Sequence, residues 1–277
     1  GYNHLYLIDV ATGRVKNPIT TGNFVVREVV SNDQAQRQLT LRVMGMDPNQ
    51  DPYHVHFVRV GYDGKNMVRL TEANGTHNLE FSPDGQTYVA TYSRADQPPM
   101  RELRRTTDGK KIADLEAADD APLRVTGWRR PIVISAKGRD GVTDIWGYVN
   151  LPTNFDPNRK YPVIEEIYAG PHGHHVRKGF NPSEGSGPVA ELGFITVKID
   201  GMGTNWRSKA FHDMAWQNIA DAGFPDRIAW MKAAAQQIPQ MDLSRVGIYG
   251  GSAGGQNTAH ALLLDGVLFY VGVAVFV

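Results

Sequence analysis

A short apolar strand runs directly into a series of small residues with one serine at its centre, and this junction constrains the fold more than any other stretch. Residues 245–249 have the pattern of a buried strand, and Gly250-Gly251-Ser252-Ala253-Gly254 lead into a helical pattern over residues 256–264. Helix and strand approach closely at such a turn, so the neighbours of the serine must be small. The pattern predicts a strand, a sharp turn that presents Ser252, and a helix. An ordinary glycine-rich turn is the alternative, and the Gly-Lys-Ser/Thr ending of a phosphate-binding loop is missing.

The first 120 residues alternate short strands with turns, and they repeat. Gly13 and Gly64 each close a matching hairpin and are 51 residues apart, and Ser31 and Ser82 mark a second turn at the same spacing. A third copy of the hairpin ends at Gly109. A repeat of about 45–50 residues with four strands each is typical of β-propeller blades. We therefore predict an all-β propeller fragment of about two and a half blades, with a plain β-sandwich as the alternative.

Four histidines fall on or beside these strands, at His4, His54, His56 and His77. Their spacing does not recur in the way that metal ligands would require. We expect them to be surface or blade-packing residues.

A polar segment ending in proline, residues 117–122, separates the repeats from a different pattern. We place the domain boundary near residue 125, with propeller blades over 1–125 and a catalytic domain over 126–277. Beyond it, apolar strands alternate with helices, which predicts a mostly parallel sheet covered by helices on both faces. The expected strands are 132–135, 144–149, 162–168 and 194–200, and a helix starts at Pro225 with a buried stripe of Ile228, Met231, Ala235 and Ile238.

Composition removes several function classes. The 29 basic and 29 acidic side chains give a net charge of zero, so no long-range field favours nucleic acid or an anionic membrane as a partner. The absence of cysteine excludes disulfides, thiol nucleophiles and cysteine-ligated zinc. No stretch of the sequence is apolar and long enough to span a bilayer.

The serine turn has the form of the nucleophile elbow of α/β-hydrolases. Ser252 is then the candidate nucleophile, and the backbone N–H of Ala253 is the expected first donor to the oxyanion. Tyr168 follows an earlier strand and is a candidate second donor through its hydroxyl. The alternative for Tyr168 is an aromatic residue that covers the end of the sheet.

The general base is missing from the expected place. In α/β-hydrolases an acid and then a histidine follow the serine, but after Ser252 the sequence has only His260 and then Asp265. His260 lies about 12 Å along the helix from the serine, and His212 precedes the serine. We expect the triad Asp and His to lie outside residues 1–277, the catalytic domain to be truncated after the elbow, and this segment alone to be inactive.

Two further clusters carry alternative interpretations. His172, His174 and His175 could suggest zinc, but no acid stands at the spacing of the known short motifs, so no metal is expected. Asp200-Gly201-Met202-Gly203 resembles a phosphate loop, and a turn at a strand end is favoured instead. No cofactor is predicted.

Several stretches together point to a family. In the first half they are residues 81–85 (Phe-Ser-Pro-Asp-Gly) and 91–99. In the second half they are Tyr161-Pro162, Tyr168-Ala169-Gly170-Pro171, residues 200–204 and residues 242–255. These stretches resemble the prolyl oligopeptidase family of serine peptidases, in its dipeptidyl peptidase IV-like branch.

The resemblance implies a β-propeller joined to an α/β-hydrolase domain that cleaves short peptides through an acyl-enzyme on Ser252, with Tyr168 and the Ala253 amide as the oxyanion hole. The family's triad Asp and His have no position here, and the propeller acids that bind a substrate's amino terminus would precede residue 1. Dipeptidyl peptidase IV has an aromatic residue where this chain has Ala253, so the proline pocket needs another wall. The resemblance also favours a periplasmic or secreted location and allows a homo-oligomer.

Other functions stay open on the sequence alone. An aminopeptidase, an oligopeptidase, an acyl-peptide hydrolase, or a carboxylesterase with a β-rich appendage would use the same elbow. A binding module that has kept the hydrolase frame would lack the Asp and His altogether.

Overall fold

The computed structural model describes residues 1–183, 187–263 and 268–275. Contacts between Cα atoms divide the chain into two compact units. Unit 1 consists of Gly1–Ala118, Lys178–Phe180 and Trp206–Ala210, and unit 2 of Asp119–Arg177, Asn181–Asn205 and Phe211–Val277. The domain ranges 1–125 and 126–277 stay a prediction.

Unit 1 is built from antiparallel strands alone in its described sheets. One hairpin pairs β1 with β2, one four-stranded sheet has the order β3-β4-β5-β6, and a second has the order β7-β8-β9-β10. The strands are β1 Tyr6–Ile8, β2 Val15–Pro18, β3 Val25–Asp33, β4 Gln38–Met44, β5 Val55–Gly61, β6 Val68–Arg69, β7 Thr76–Phe81, β8 Thr87–Arg94, β9 Gln97–Arg105 and β10 Lys111–Ala117. Two sheets of four consecutive strands preceded by one hairpin are the predicted two and a half blades, and the fragment of a propeller is confirmed.

The repeated glycines sit at equivalent turns. Gly13, Gly64 and Gly109 close the β1–β2, β5–β6 and β9–β10 hairpins with φ of 68°, 77° and 71°, the left-handed region that glycine adopts at little cost. A Cβ on Gly64 would meet the Pro18 carbonyl oxygen at 2.9 Å, and one on Gly109 would meet the Arg69 carbonyl oxygen. Each of these two turns therefore packs directly against the last strand of the preceding repeat.

Three of the four histidines predicted to be surface or blade-packing residues are buried. We call His54, His56 and His77 the histidine trio. The His56 ring contacts the Thr71 hydroxyl, and His77 Nδ1 donates to the Val55 carbonyl oxygen at 3.1 Å. Burial lowers the pKa of His54 and His56 to about 4 and that of His77 to about 3, so all three are neutral at neutral pH. His4 is only half-buried and hydrogen-bonds to Thr20 and Gly22.

Unit 2 is organised around a six-stranded sheet of order β11-β12-β14-β13-β15-β16. The β11–β12 and β12–β14 pairs are antiparallel, and β14, β13, β15 and β16 are parallel. The strands are β11 Ile132–Lys137, β12 Asp144–Asn150, β13 Tyr161–Glu166, β14 Ile195–Asp200, β15 Met241–Gly251 and β16 Phe269–Val275. The helices are α1 Ala121–Arg124, α2 Gly187–Ala190, α3 Lys209–His212, α4 Phe224–Gln237 and α5 Ala253–Leu263, with 3₁₀ turns at Asp213–Ala215 and Ile219–Asp221. The incomplete α/β-hydrolase sheet is thereby confirmed.

Helix α4 starts beside the predicted Pro225 and buries half of the predicted stripe. Met231 and Ile238 are buried, whereas Ile228 and Ala235 are only partly buried. The helix also buries Arg227, Trp230 and Ala234, which the stripe did not include. Trp230 donates its indole N–H to the Ile134 carbonyl oxygen at 3.1 Å, which aims the helix at β11. Arg227 is buried because it has an acidic partner, which the apolar pattern cannot reveal.

Helices flank the sheet as predicted: α4 and α5 pack on its strands, and α2 contacts β14. An apolar cavity of about 380 Å³ lies on one face. Its lining includes Ile164, Val189, Phe194, Tyr249 and Val271.

Candidate active site

Ser252 lies at the junction of β15 and α5, and its backbone is in the left-handed region with φ of 54°. A non-glycine residue in this conformation costs on the order of 1 kcal/mol or more and persists only where its surroundings fix it. The Ser252 N–H donates to the Val275 carbonyl oxygen at 2.8 Å, and the Gln256 N–H donates to the Ser252 carbonyl oxygen at 3.1 Å. The side chain itself is exposed. The predicted strand, sharp turn and helix around Ser252 are therefore present.

The glycines around Ser252 serve different steric needs. A Cβ on Gly250 would lie 2.5 Å from the Ile167 carbonyl oxygen and 2.6 Å from the Gly254 carbonyl group. A Cβ on Gly254 would clash with the same Ile167 oxygen. At Gly251, by contrast, the nearest atom would be the Val275 carbonyl oxygen at 3.9 Å, an ordinary contact. Space thus requires glycine at Gly250 and Gly254 but not at Gly251.

Tyr168 follows β13, the parallel neighbour of the elbow strand. Glu166 pairs with Tyr249, and the Ile167 N–H donates to the Tyr249 carbonyl oxygen at 2.9 Å, so the two strands end side by side. The Tyr168 Cα lies 3.6 Å from where a Cβ on Gly254 would be. The structure therefore brings the half-buried Tyr168 next to the turn that carries Ser252.

Helix α5 fixes the Tyr168 loop from one side. Asn257, buried on this helix, accepts the Ala169 N–H at 3.1 Å through its side-chain oxygen. The first turn of the same helix supplies Ala253, the residue directly after the serine. Asn257 is a contact that sequence reasoning missed, although an amide one turn after the glycines is a visible signal.

Two of the three histidines in the loop, His172 and His175, contact the Tyr168 ring. The His175 ring centroid lies 4.5 Å from that of Tyr168, and the exposed His172 ring meets it edge-on at 5.7 Å. His175 Nε2 donates to the Gly170 carbonyl oxygen at 2.8 Å. Within the described residues no group of three or more His, Asp or Glu side chains has a metal-binding arrangement.

Asp200 ends β14 and anchors the loop from the other side. Its buried carboxylate accepts the backbone N–H groups of His175 and Val176 at 2.9 to 3.1 Å. The following turn gives its Met202 N–H to the Asp226 carboxylate at 3.0 Å. An amide that faces a carboxylate does not bind phosphate, so this segment forms a strand-end turn beside the site.

Three ion pairs near the site, two of them partly buried and one fully buried, had no signal in the sequence pattern. Arg139 holds Asp221 and Asp226 together, with nitrogen–oxygen distances of 2.6 and 2.9 Å. Arg227 pairs with Glu165 of β13 at 2.6 Å, and both side chains are fully buried. Burial raises the pKa of Glu165 above its usual range, and the Arg227 guanidinium opposes that shift. These pairs join residues more than 60 positions apart, which periodicity cannot reveal.

The histidines nearest in sequence to the elbow have other contacts. His260 stacks on Phe224, with ring centroids 5.8 Å apart, and His212 donates to the Pro171 carbonyl oxygen at 2.8 Å. Asp265 lies outside the described residues, as does Leu264 at the end of the predicted helix.

Comparison with known proteins accounts for both units. The model of the dipeptidyl peptidase IV N-terminal region matches residues 1–99, and the model of the prolyl oligopeptidase family matches residues 184–276. By these matches the chain is similar to the prolyl oligopeptidase family. The segment matched by the family model contains the elbow and α5.

Relatives by sequence and by structure agree with this placement. The chain is 29% identical to a "probable dipeptidyl-aminopeptidase B" of Emericella nidulans and 27% identical to a dipeptidyl peptidase 4 of Trichophyton rubrum. Both alignments cover 99% of the present chain. It superposes on the crystal structure of Porphyromonas gingivalis dipeptidyl peptidase 4 with a TM-score of 0.78 at 26% identity over 99% of the chain. The match spans 30%, 35% and 38% of these three proteins, about a third of their length.

None of the helices in the described ranges is long and apolar enough to cross a bilayer.

Proposed function

We propose that the protein containing this chain is a serine peptidase that releases dipeptides from peptide substrates through an acyl-enzyme on Ser252. The observation that carries the proposal is the left-handed backbone of Ser252, held in a tight turn against which the Tyr168 loop is packed. Such a conformation presents a hydroxyl above the carboxyl ends of the parallel strands, where open sheets of this type place their sites. The names of the relatives, all dipeptidyl peptidases or dipeptidyl-aminopeptidases, support the substrate class.

The proposed chemistry is acyl transfer. Ser252 Oγ attacks the scissile carbonyl carbon while a base takes its proton, and the carbonyl π electrons move onto the oxygen. Collapse of this intermediate breaks the C–N bond, the amine leaves with the proton from the base, and an ester to Ser252 remains. Water then attacks the ester in the same way and releases the carboxylate product.

The oxyanion hole is proposed to consist of the Ala253 N–H and the Tyr168 hydroxyl. Ala253 opens α5, so its N–H is one of the helix's unpaired terminal donors and lies at the positive end of the helix dipole. Tyr168 comes from the neighbouring strand end. Loss of one such donor typically costs about 10²–10³ in kcat.

The base and its acidic partner are proposed to lie outside these 277 residues. His260 stacks against Phe224 and His212 bonds to the Pro171 carbonyl, so neither histidine is arranged to accept a proton from Ser252. The relatives are about three times longer than the match and have room for both groups. We accordingly propose that residues 1–277 alone do not turn over peptides.

Turnover by the full-length protein tests this function. Purified protein is given glycyl-prolyl-p-nitroanilide, an alanyl-alanyl amide and an aryl ester, in parallel with the Ser252→Ala variant. The proposal predicts hydrolysis of dipeptidyl amides that Ser252→Ala abolishes. Hydrolysis of the ester alone would identify an esterase instead, and amide turnover that survives in Ser252→Ala would remove Ser252 from the mechanism.

A further inference from the structure

We propose that His175 is a positioning residue, which holds the Tyr168 ring where its hydroxyl can serve the oxyanion. This inference rests on the proposed function, because it assigns a purpose to a contact of the same site. It concerns a residue that neither the elbow motif nor the family models single out.

His175 contacts the Tyr168 loop at two points. Its Nε2–H donates to the carbonyl oxygen of Gly170 at 2.8 Å, two residues after Tyr168. Its ring also packs on the Tyr168 ring, with centroids 4.5 Å apart and planes inclined by 49°. One side chain therefore restrains both the backbone that follows the tyrosine and the direction of the phenol ring.

His175 is itself tied to the sheet. Its backbone N–H donates to Asp200, a fully buried carboxylate at the end of β14, and the Val176 N–H donates to the same group. Strand β14 is the direct neighbour of β13, which leads into Tyr168. Asp200 and His175 thus connect the end of β14 to the Tyr168 loop that follows β13. On the other side of this loop, Asn257 contacts Ala169.

The restraint depends on the chemistry of the imidazole. A carbonyl oxygen can only accept, so Nε2 must carry the proton. Burial lowers the pKa of His175, so the ring is neutral, with Asp200, His172 and Arg227 as the charged or titratable groups that influence it. A glutamine side chain can place an amide N–H near the position of Nε2, whereas leucine keeps comparable bulk without a donor. These two replacements separate the hydrogen bond from the packing.

His172 provides the matched control. It is a histidine of the same loop and meets the Tyr168 ring, but edge-on at 5.7 Å, and its side chain is exposed. Replacement of His172 by leucine is expected to leave Tyr168 restrained by His175.

The experiment measures kcat and KM of the full-length protein with glycyl-prolyl-p-nitroanilide. His175→Leu is expected to lower kcat by about 10- to 100-fold, because misplacement by about 1 Å can cost that much, while KM stays near its original value. His175→Gln is expected to recover most of the lost kcat, and His172→Leu to retain it. In a Tyr168→Phe background, His175→Leu is expected to cause no further loss, because the hydroxyl that it positions is already gone.

The outcomes distinguish this inference from the proposed function. Retention of full kcat in His175→Leu, equal losses in the leucine and glutamine variants, or a full additional loss on top of Tyr168→Phe would each overturn the positioning role while leaving Ser252 as nucleophile. Amide turnover in Ser252→Ala would overturn the proposed function itself. Thermal unfolding of each variant is recorded, and if His175→Leu does not fold, the comparison of His175→Gln and His175→Asn decides, because the shorter amide cannot reach Gly170.

Discussion

Replacement of Gly250 by alanine is expected to disrupt the candidate active site, whereas the same change at the adjacent Gly251 is expected to leave it intact. Both glycines lie in β15, immediately before Ser252. The added Cβ at Gly250 would lie 2.5 Å from the Ile167 carbonyl oxygen on one side and 2.6 Å from the Gly254 carbonyl group on the other. All of these are backbone atoms, which cannot turn aside as a flexible side chain can.

The expected magnitude follows from these distances. Even the tightest acceptable contact, 3.0 Å, requires a shift of about 0.5 Å at each side of the new methyl group. The shift separates β13 from α5, the two elements next to the proposed oxyanion donors Tyr168 and Ala253. Forcing an extra methyl group into such packing costs about 1–3 kcal/mol of stability, and a displacement approaching 1 Å costs up to about 10²-fold in rate. At Gly251 the nearest atom to the methyl group would be 3.9 Å away, so we expect neither loss.

The assay compares Gly250→Ala and Gly251→Ala of the full-length protein in two measurements. The rate of inactivation by a fluorophosphonate reports the reactivity of the nucleophile, and urea unfolding reports stability. The reasoning predicts slow inactivation and lower stability for Gly250→Ala, with wild-type inactivation for Gly251→Ala. If Gly250→Ala reacts at the wild-type rate, or if the two variants are equally impaired, the steric account of the elbow is wrong.

Two further predictions concern unit 1. The pKa of each histidine of the trio is about 6.5 in the unfolded chain and about 3 to 4 in the folded protein, so the unfolded chain binds more protons between these values. The free energy of unfolding is therefore highest above pH 6.5 and decreases as the pH is lowered, by about 2 kcal/mol per histidine at pH 5. Urea unfolding at pH 7 and pH 5 measures this loss, and equal free energies at the two pH values would contradict it. At the repeated turns, Gly109→Ala is expected to destabilise the protein more than Gly13→Ala, although both have similar positive φ, because the new Cβ meets the Arg69 carbonyl at Gly109 and nothing within 4 Å at Gly13. An equal decrease of the melting temperature in Gly109→Ala and Gly13→Ala would show that the close contact between repeats does not contribute to stability.

The sequence is most informative where chemistry recurs at short range. The hairpin glycines at Gly13, Gly64 and Gly109 repeat because each turn needs a left-handed residue, so blade architecture is visible without any structure. The elbow is visible for the same reason, since Gly250 and Gly254 must be small for strand and helix to approach. Positions with special backbone requirements can therefore be recognised from short sequence patterns.

Contacts between residues that are far apart in the sequence cannot be recognised in this way. Apolar spacing places Trp230 beside the buried stripe of α4, but the structure buries it completely because its indole N–H reaches the Ile134 carbonyl on β11. The sequence pattern likewise gives no sign that Arg227 pairs with Glu165, which lies on a strand 62 residues earlier. His175 looks like one of three loop histidines, and only the fold shows that it hydrogen-bonds to Gly170 while it packs on Tyr168.

The central claim is that Ser252 is the nucleophile, and the most direct test is to map the residue that a fluorophosphonate modifies in the full-length protein. Peptide mass spectrometry after complete inactivation is predicted to show one adduct, on the peptide that contains Ser252, and the Ser252→Ala variant is predicted to show none. An adduct on another residue with Ser252 unmodified, or stoichiometric labelling of Ser252→Ala, would contradict the account.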